Sequence, residues 1–395
     1  MFRSFLILLT LFVVSCTASE EPKDKNLLYL GEKHPGSRPV VFGKDIISVN
    51  GRFDMGITIS PDGRYIVFGV ADPSAPDATN LYLLRAEDGT WTQPEKSFLP
   101  ENVNTFFPMF GPNGEKFYFA KSQGQAATNL WMADFKNGEV SNLSPLDTVI
   151  NSNTREAGHG ITRNGMLYFT SNRDESFPCC GDIYRSVPGS HKIEKLQPLN
   201  SDADEESLYL SPEEDFIVIQ AWKQEHESKH DLYIAYRQKN GAWTSPERLN
   251  NLINTTEIEQ RPFVSADKKF LFFSRMSITN VDGEDLYDSD IFWVSTASIF
   301  EPYVFNAEFE AKVEYEEEFN IQIPGDLFRD IDDHELSFSL TLENGTPFSD
   351  SVQFDSIALT LKGLWPYNTS KRLKLIALDK AGNQGEYTWT MHLKK

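Results

Sequence analysis

The chain has 395 residues, 40% of them hydrophobic and 13% aromatic, enough apolar material for a large core and for two domains. Lysine and arginine number 37 against 58 acids, a formal charge of −21 with no basic stripe to offset it. That balance argues against a nucleic-acid partner and leaves cations, basic partners or plain solubility as readings of the acidity.

The first sixteen residues read MFRSFLILLTLFVVSC, with Arg3 the one charge before an apolar run from Phe5 to Val14. The run is too short to cross a membrane as a mature helix and reads as a secretion signal. Its VVSC ending resembles the lipobox of bacterial lipoproteins. The resemblance implies a signal at 1–15, lipidation of Cys16, and a mature chain held in the bacterial cell envelope, at the outer membrane. The polar TASEEPKDKN that follows is expected to be part of a flexible tether, residues 16–29. Removing Cys16 leaves only Cys179 and Cys180, which form no disulfide framework and read as small loop residues.

A repeat governs the next 250 or so residues. GTWTQPE at 89–95 returns as GAWTSPE at 241–247, and five segments share one shape, GITISPDGRYIVFGV at 56–70 being the first. Anchored on Ser60, Gly111, Thr162, Ser211 and Ser265, the units lie 51, 51, 49 and 54 residues apart. In each, an apolar stretch meets a turn such as PDG or PNG and an alternating run follows, which predicts a hairpin. About twenty residues after the anchor come NLY, NLW, DIY, DLY and DIF, marking a third strand whose short polar residue is expected to hold a turn. A weaker fourth strand carries the tryptophan–proline signature. Four antiparallel strands per repeat predict a β-propeller.

The SPDG-type turn and the third-strand signature, over residues 53–300, resemble the TolB-type, WD40-like propeller repeat. The opening at 29–48 resembles the entry segment of lipoproteins of that group. PVVFGKDII at 39–47 reads as a fourth strand without a unit of its own, while the fifth unit lacks one. Closing the ring with it favours five blades in a domain spanning 30–300; six, the count of the TolB type, is the alternative.

From 301 to 395 the repeat is gone, and alternating strands predict a small β-sandwich. It resembles cadherin-like and immunoglobulin-like modules of bacterial surface proteins, on Asp330, Asp332 and Asp333 and on the ending formed by Asp379, Gly382 and Asn383. Asp330, Asp332, Asp333 and Asp379 are candidate calcium ligands, since hard oxygen donors suit that ion; solvated turn acids are the alternative.

No sequence signature of catalysis survives its context. HESKH at 226–230 fits the zinc-peptidase pattern, but it occupies a short connection between strands where no helix fits to set both rings on one face. Six residues before each anchor stand Asp54, Thr105, Glu156, Glu205 and Glu259. Ring closure would make the four acids a channel-mouth ring able to hold a cation such as calcium; acids in solvated loops are the alternative. His159 is the one histidine in a channel-strand segment, and Trp131 and Trp222 are candidates to stack a sugar or to fill the core. The reading is therefore a non-enzymatic, lipid-anchored envelope protein that binds a protein or glycan partner. A polysaccharide-degrading propeller enzyme, lyase or glycosidase, is the alternative.

Overall fold

Each repeat folds as an antiparallel four-stranded sheet. The computed structural model describes residues 25–395, apart from 73–74, 97, 101, 123–126, 175–180, 191, 203, 223–229, 282, 333–334 and 395. The first strands of the five sheets are Phe53–Ile59, Thr105–Phe110, Glu156–Ile161, Asp204–Leu210 and Ile258–Val264. They neighbour one another in a closed cycle, the fifth returning to the first, so they line the centre of a propeller.

The anchors set the hairpins. Ser60 Oγ donates to Asp62 Oδ1 (2.6 Å) and accepts from the Tyr65 N–H (3.0 Å), and Ser265 repeats the pattern with Asp267 and Phe270. The fourth turn residue has positive φ every time: Gly63, Gly114 and Gly165, then Glu214 and Lys268. The last two units thus fold the same turn without glycine.

The third-strand signature has a use that spacing alone does not reveal. Its aliphatic residue is gripped by an asparagine from the connection to the next sheet. Asn102 Oδ1 accepts from the Leu81 N–H (2.9 Å) and Nδ2 donates to the Leu81 carbonyl (2.6 Å). Asn151 does the same to Leu130, Asn200 to Ile183 and Asn254 to Leu232. All four aliphatics are buried. The polar residue before them serves the fourth strand, where the sequence suggested a turn: Asp182 pairs with Lys195 (2.6 Å) and Asp231 with Arg248 (2.7 Å).

The two ends of the ring are joined by the spare N-terminal strand. Val40 pairs with Trp293 and Val41 with Phe292, so Val40–Val41 is the outer strand of the fifth sheet. Ser48 then takes the asparagine's place, its Oγ accepting from the Ile291 N–H (3.0 Å) and donating to the Ile291 carbonyl (3.4 Å). Ahead of it, residues 25–31 make tight turns, with Tyr29 and Leu30 at positive φ, in place of a free tether up to 29. Tyr29 is buried against Phe270 and Trp293, and the Trp91 Nε1–H donates to the Leu27 carbonyl (2.9 Å).

Strands after Ser295 belong to a second unit. One sheet orders Ala311–Val313, Gln384–Leu393, Lys371–Leu378 and Ser337–Leu342; the other orders Glu318–Gln322, Thr360–Leu364 and Val352–Asp355. They enclose Trp365, Leu361, Leu373, Ile323 and Met391. This sandwich docks on the fourth and fifth sheets: Tyr303 stacks on Tyr236 at 4.4 Å, Lys239 pairs with Asp326 (2.7 Å), and Asn383 Nδ2 donates to the carbonyls of Ala297 and Phe300.

Candidate functional site: the central channel

Every first strand is broken by a bulge near its start, between Met55 and Ile57, Phe106 and Met109, Ala157 and His159, Glu205 and Ser207, and Gln260 and Phe263. A bulge re-aims the side chains around it. In three strands the bulged residue has positive φ: Gly56 (62°), Phe107 (53°) and Arg261 (54°). For the two that are not glycine that conformation costs about 1–2 kcal/mol each.

This distortion borders a small pocket in the channel. Gly56, Ile57, Phe107, Pro108, Met109, His159, Ser207, Leu208, Tyr209, Arg261, Pro262 and Phe263 surround a cavity of about 30 Å³. That is room for roughly two waters, and a sugar ring does not fit. The Arg261 guanidinium lies 4.5 Å over the Phe107 ring. Its stem crosses Gly56, where an added Cβ would sit 3.3 Å from Arg261 Cδ, a tight contact that the glycine avoids. A polar chain from the fourth sheet borders it: Ser207 Oγ donates to Gln220 Oε1 (2.6 Å), and Gln220 Nε2 donates to Glu206 Oε2 (2.6 Å). Arg155 stands 3.8 Å from Glu206 and 5.9 Å from the Phe107 ring.

His159 lies in the same wall, 5% exposed, and neither ring nitrogen makes a hydrogen bond. Burial pulls its pKa down to about 4, so the ring is neutral at physiological pH.

The four acids of the expected ring are at the starts of the first strands, all at 0–1% exposure, and each is held by its own loop. Glu259 Oε2 accepts from the Thr255 N–H (3.0 Å), and its Oε1 accepts from Thr255 Oγ1 (2.7 Å) and Arg275 Nε (2.7 Å). Glu156 is held likewise by Ser152, Ser171 and Arg173, and Asp54 by the Val49 N–H and Arg52. Glu205 has only the N–H and hydroxyl of Ser201 on Oε1, and its Oε2 has no partner. Among the described residues no three histidine, cysteine or acidic side chains converge as metal ligands.

Thr105 departs from this pattern by donating to Asn102 Oδ1 (2.5 Å). The motif behind the three glutamate locks is Asn-Ser/Thr-x-x-x-Glu, at 151–156, 200–205 and 254–259. Its asparagine grips the previous sheet and its glutamate ties the loop to the next. Glu259→Ala should therefore destabilise the fold by about 2–3 kcal/mol, since it removes the partner of a half-buried Arg275 and of two donors of Thr255. Glu259→Gln should cost distinctly less in the same denaturant unfolding series. Equal costs would refute the lock.

The remaining candidates scatter. Asp379 Oδ1 accepts from the Gly382 and Asn383 N–H groups (2.7 and 2.8 Å), a turn that also orients Asn383 towards the propeller. Asp330 is buried and accepts from the Asp332 N–H (3.1 Å). Burial, then Asp330, raises Asp332 to about 7. Asp333, Cys16, Cys179, Cys180 and residues 226–229 of HESKH lie outside the described residues. His230 opens the strand His230–Tyr236 and stacks on Trp222 at 6.0 Å. Trp131 packs against the core between the first two sheets, with Lys121 Nζ 5.5 Å above its ring.

The architecture is an all-β propeller with a further β unit. No protein-family model matches the chain, and no curated protein matches it. Similar solved structures include TolB from Acinetobacter baumannii, at 14% identity and TM-score 0.37, over 63% of this chain and 55% of that one. The chain thus spans about half the length of that protein. A putative TolB from Agrobacterium tumefaciens is 15% identical with TM-score 0.41, over 62% of this chain and 90% of that one. An oligogalacturonate lyase in complex with manganese is 15% identical with TM-score 0.36, over 62% and 66%.

Proposed function

We propose that this is a lipid-anchored binding or scaffold protein of a bacterial cell envelope, presenting a propeller face to a protein or glycan partner. The observation that favours binding over turnover is the channel. The pocket among its bulged strands holds about 30 Å³, and all four first-strand acids are tied into loops, which leaves no facing pair of free carboxylates among them for glycosidic chemistry.

The positions of the N-terminal segment and the sandwich support a display role. Tyr29 donates to Asp267 Oδ1 (3.1 Å) and Leu28 fills the space beside Gly63, so the segment packs on the anchor-turn face. The sandwich meets the same face, where Tyr303 and Arg329 share a cleft with Asp215 and Lys268. An anchor at Cys16 would then turn the opposite face, where the first strands begin, away from the membrane. Cys16→Ala should move the protein from the detergent phase to the aqueous phase on partition; unchanged partition would refute anchoring. Incubation of the purified protein with acidic and neutral polysaccharides, with manganese, calcium or chelator, tests the rest. Retention of a polysaccharide without new reducing ends or unsaturated uronate absorbance is expected. Turnover would establish a lyase or glycosidase instead.

A further inference from the structure

The channel cavity holds an unresolved demand for hydrogen bonds. His159 is 95% buried by its 5% exposure, faces the cavity, and satisfies neither nitrogen. Leaving such a group dry costs about 1–3 kcal/mol. The same cavity is walled by Arg261, at a first-strand bulge where its backbone is left-handed. A guanidinium stacked on an aromatic ring presents its N–H groups at its edge, where they match a planar carboxylate. The other walls, including Ile57, Met109 and Leu208, are apolar and suit a short stem.

We propose that the cavity takes a small carboxylate group, bound by the Arg261 guanidinium and by one N–H of neutral His159. The size of the cavity selects a planar group of three heavy atoms over a tetrahedral phosphate or sulfate. The carboxylate is either a free small acid or the acidic end of a longer ligand entering from the mouth. The site goes beyond the partner-binding reading and stands or falls without it.

The test is a thermal melt of the full chain in detergent at neutral pH, in sodium acetate against sodium chloride of equal ionic strength. At millimolar concentrations, below those at which kosmotropic exclusion from the surface acts, acetate should raise the melting temperature by several degrees, and sodium phosphate should not. N-acetylglycine carries the same carboxylate on a chain: a matching rise assigns the site to a chain end, and a rise with acetate alone assigns it to a free acid. Arg261→Gln should abolish the rise. His159→Phe removes the two unsatisfied nitrogens, so it should melt above the parent in chloride and ignore acetate. This second variant keeps the test decisive if Arg261→Gln fails to fold. Identical parent curves in acetate and chloride would overturn the site, as would a full acetate response in His159→Phe.

Discussion

Phe42→Ala should destabilise the propeller by about 3–5 kcal/mol, although Phe42 lies in what looks like a leader to the repeats. The side chain is fully buried, 5.0 Å from Phe272 and 5.1 Å from Trp293 in the fifth sheet. Beside it Val40–Val41 supplies the outer strand, and Ser48 bridges to Ile291. Deleting 30–48 removes all three elements at once and leaves an unpaired sheet edge, a template for aggregation. The deletion should therefore abolish cooperative unfolding, while Phe42→Ala should shift the midpoint without changing the denaturant slope. A monomeric deletion variant that melts like the parent would disprove closure by this segment.

Much of this was open to inspection in the sequence, because a repeat supplies its own controls. Ser60, Gly111, Thr162, Ser211 and Ser265 recur at nearly one spacing, and hairpin turns impose that regularity directly on residue type. The acids six residues before the anchors were also legible as a set, but their role was not. Position along a strand does not say whether a carboxylate faces an ion or its own loop. Asn-Ser/Thr-x-x-x-Glu was the missing clue, and it escapes an alignment centred on the turns because it lies in the connections between sheets. The small channel pocket had no signal at all. Glycine announces positive φ at Gly56, whereas Phe107 and Arg261 adopt it against their own preference, under the constraint of neighbouring strands.

Stability between pH 4 and 8 should be shaped by two buried groups of opposite sense, and Glu205→Gln should expose one of them. Glu205 is 1% exposed; burial, with Asp182 and Asp204 nearby, raises its pKa from 4.5 to about 8. In the unfolded chain it loses its proton at the lower value. The folded state is then the better proton binder, so this contribution is complete below about pH 4.5 and is lost as pH rises to about 8. His159 runs the other way: with its folded pKa near 4 against 6.5, its contribution is complete above about 6.5 and is lost as pH falls to about 4. Between 4.5 and 6.5 these two slopes cancel, while Asp54, raised to about 6, and Asp332, raised to about 7, act in the same sense as Glu205 below those values; from 6.5 to 8 Glu205 removes about 2 kcal/mol. Glu205→Gln, compared with the parent by denaturant unfolding at successive pH values, should lose that decline. His159→Phe, compared with the parent in the same way, should lack a gain of about 3 kcal/mol from pH 4 to 6.5. Each group is read from the difference between two curves, so titrations elsewhere cancel. Parallel curves for parent and Glu205→Gln would mean that Glu205 keeps an ordinary carboxylate's charge in the fold, and that its unpartnered oxygen is solvated.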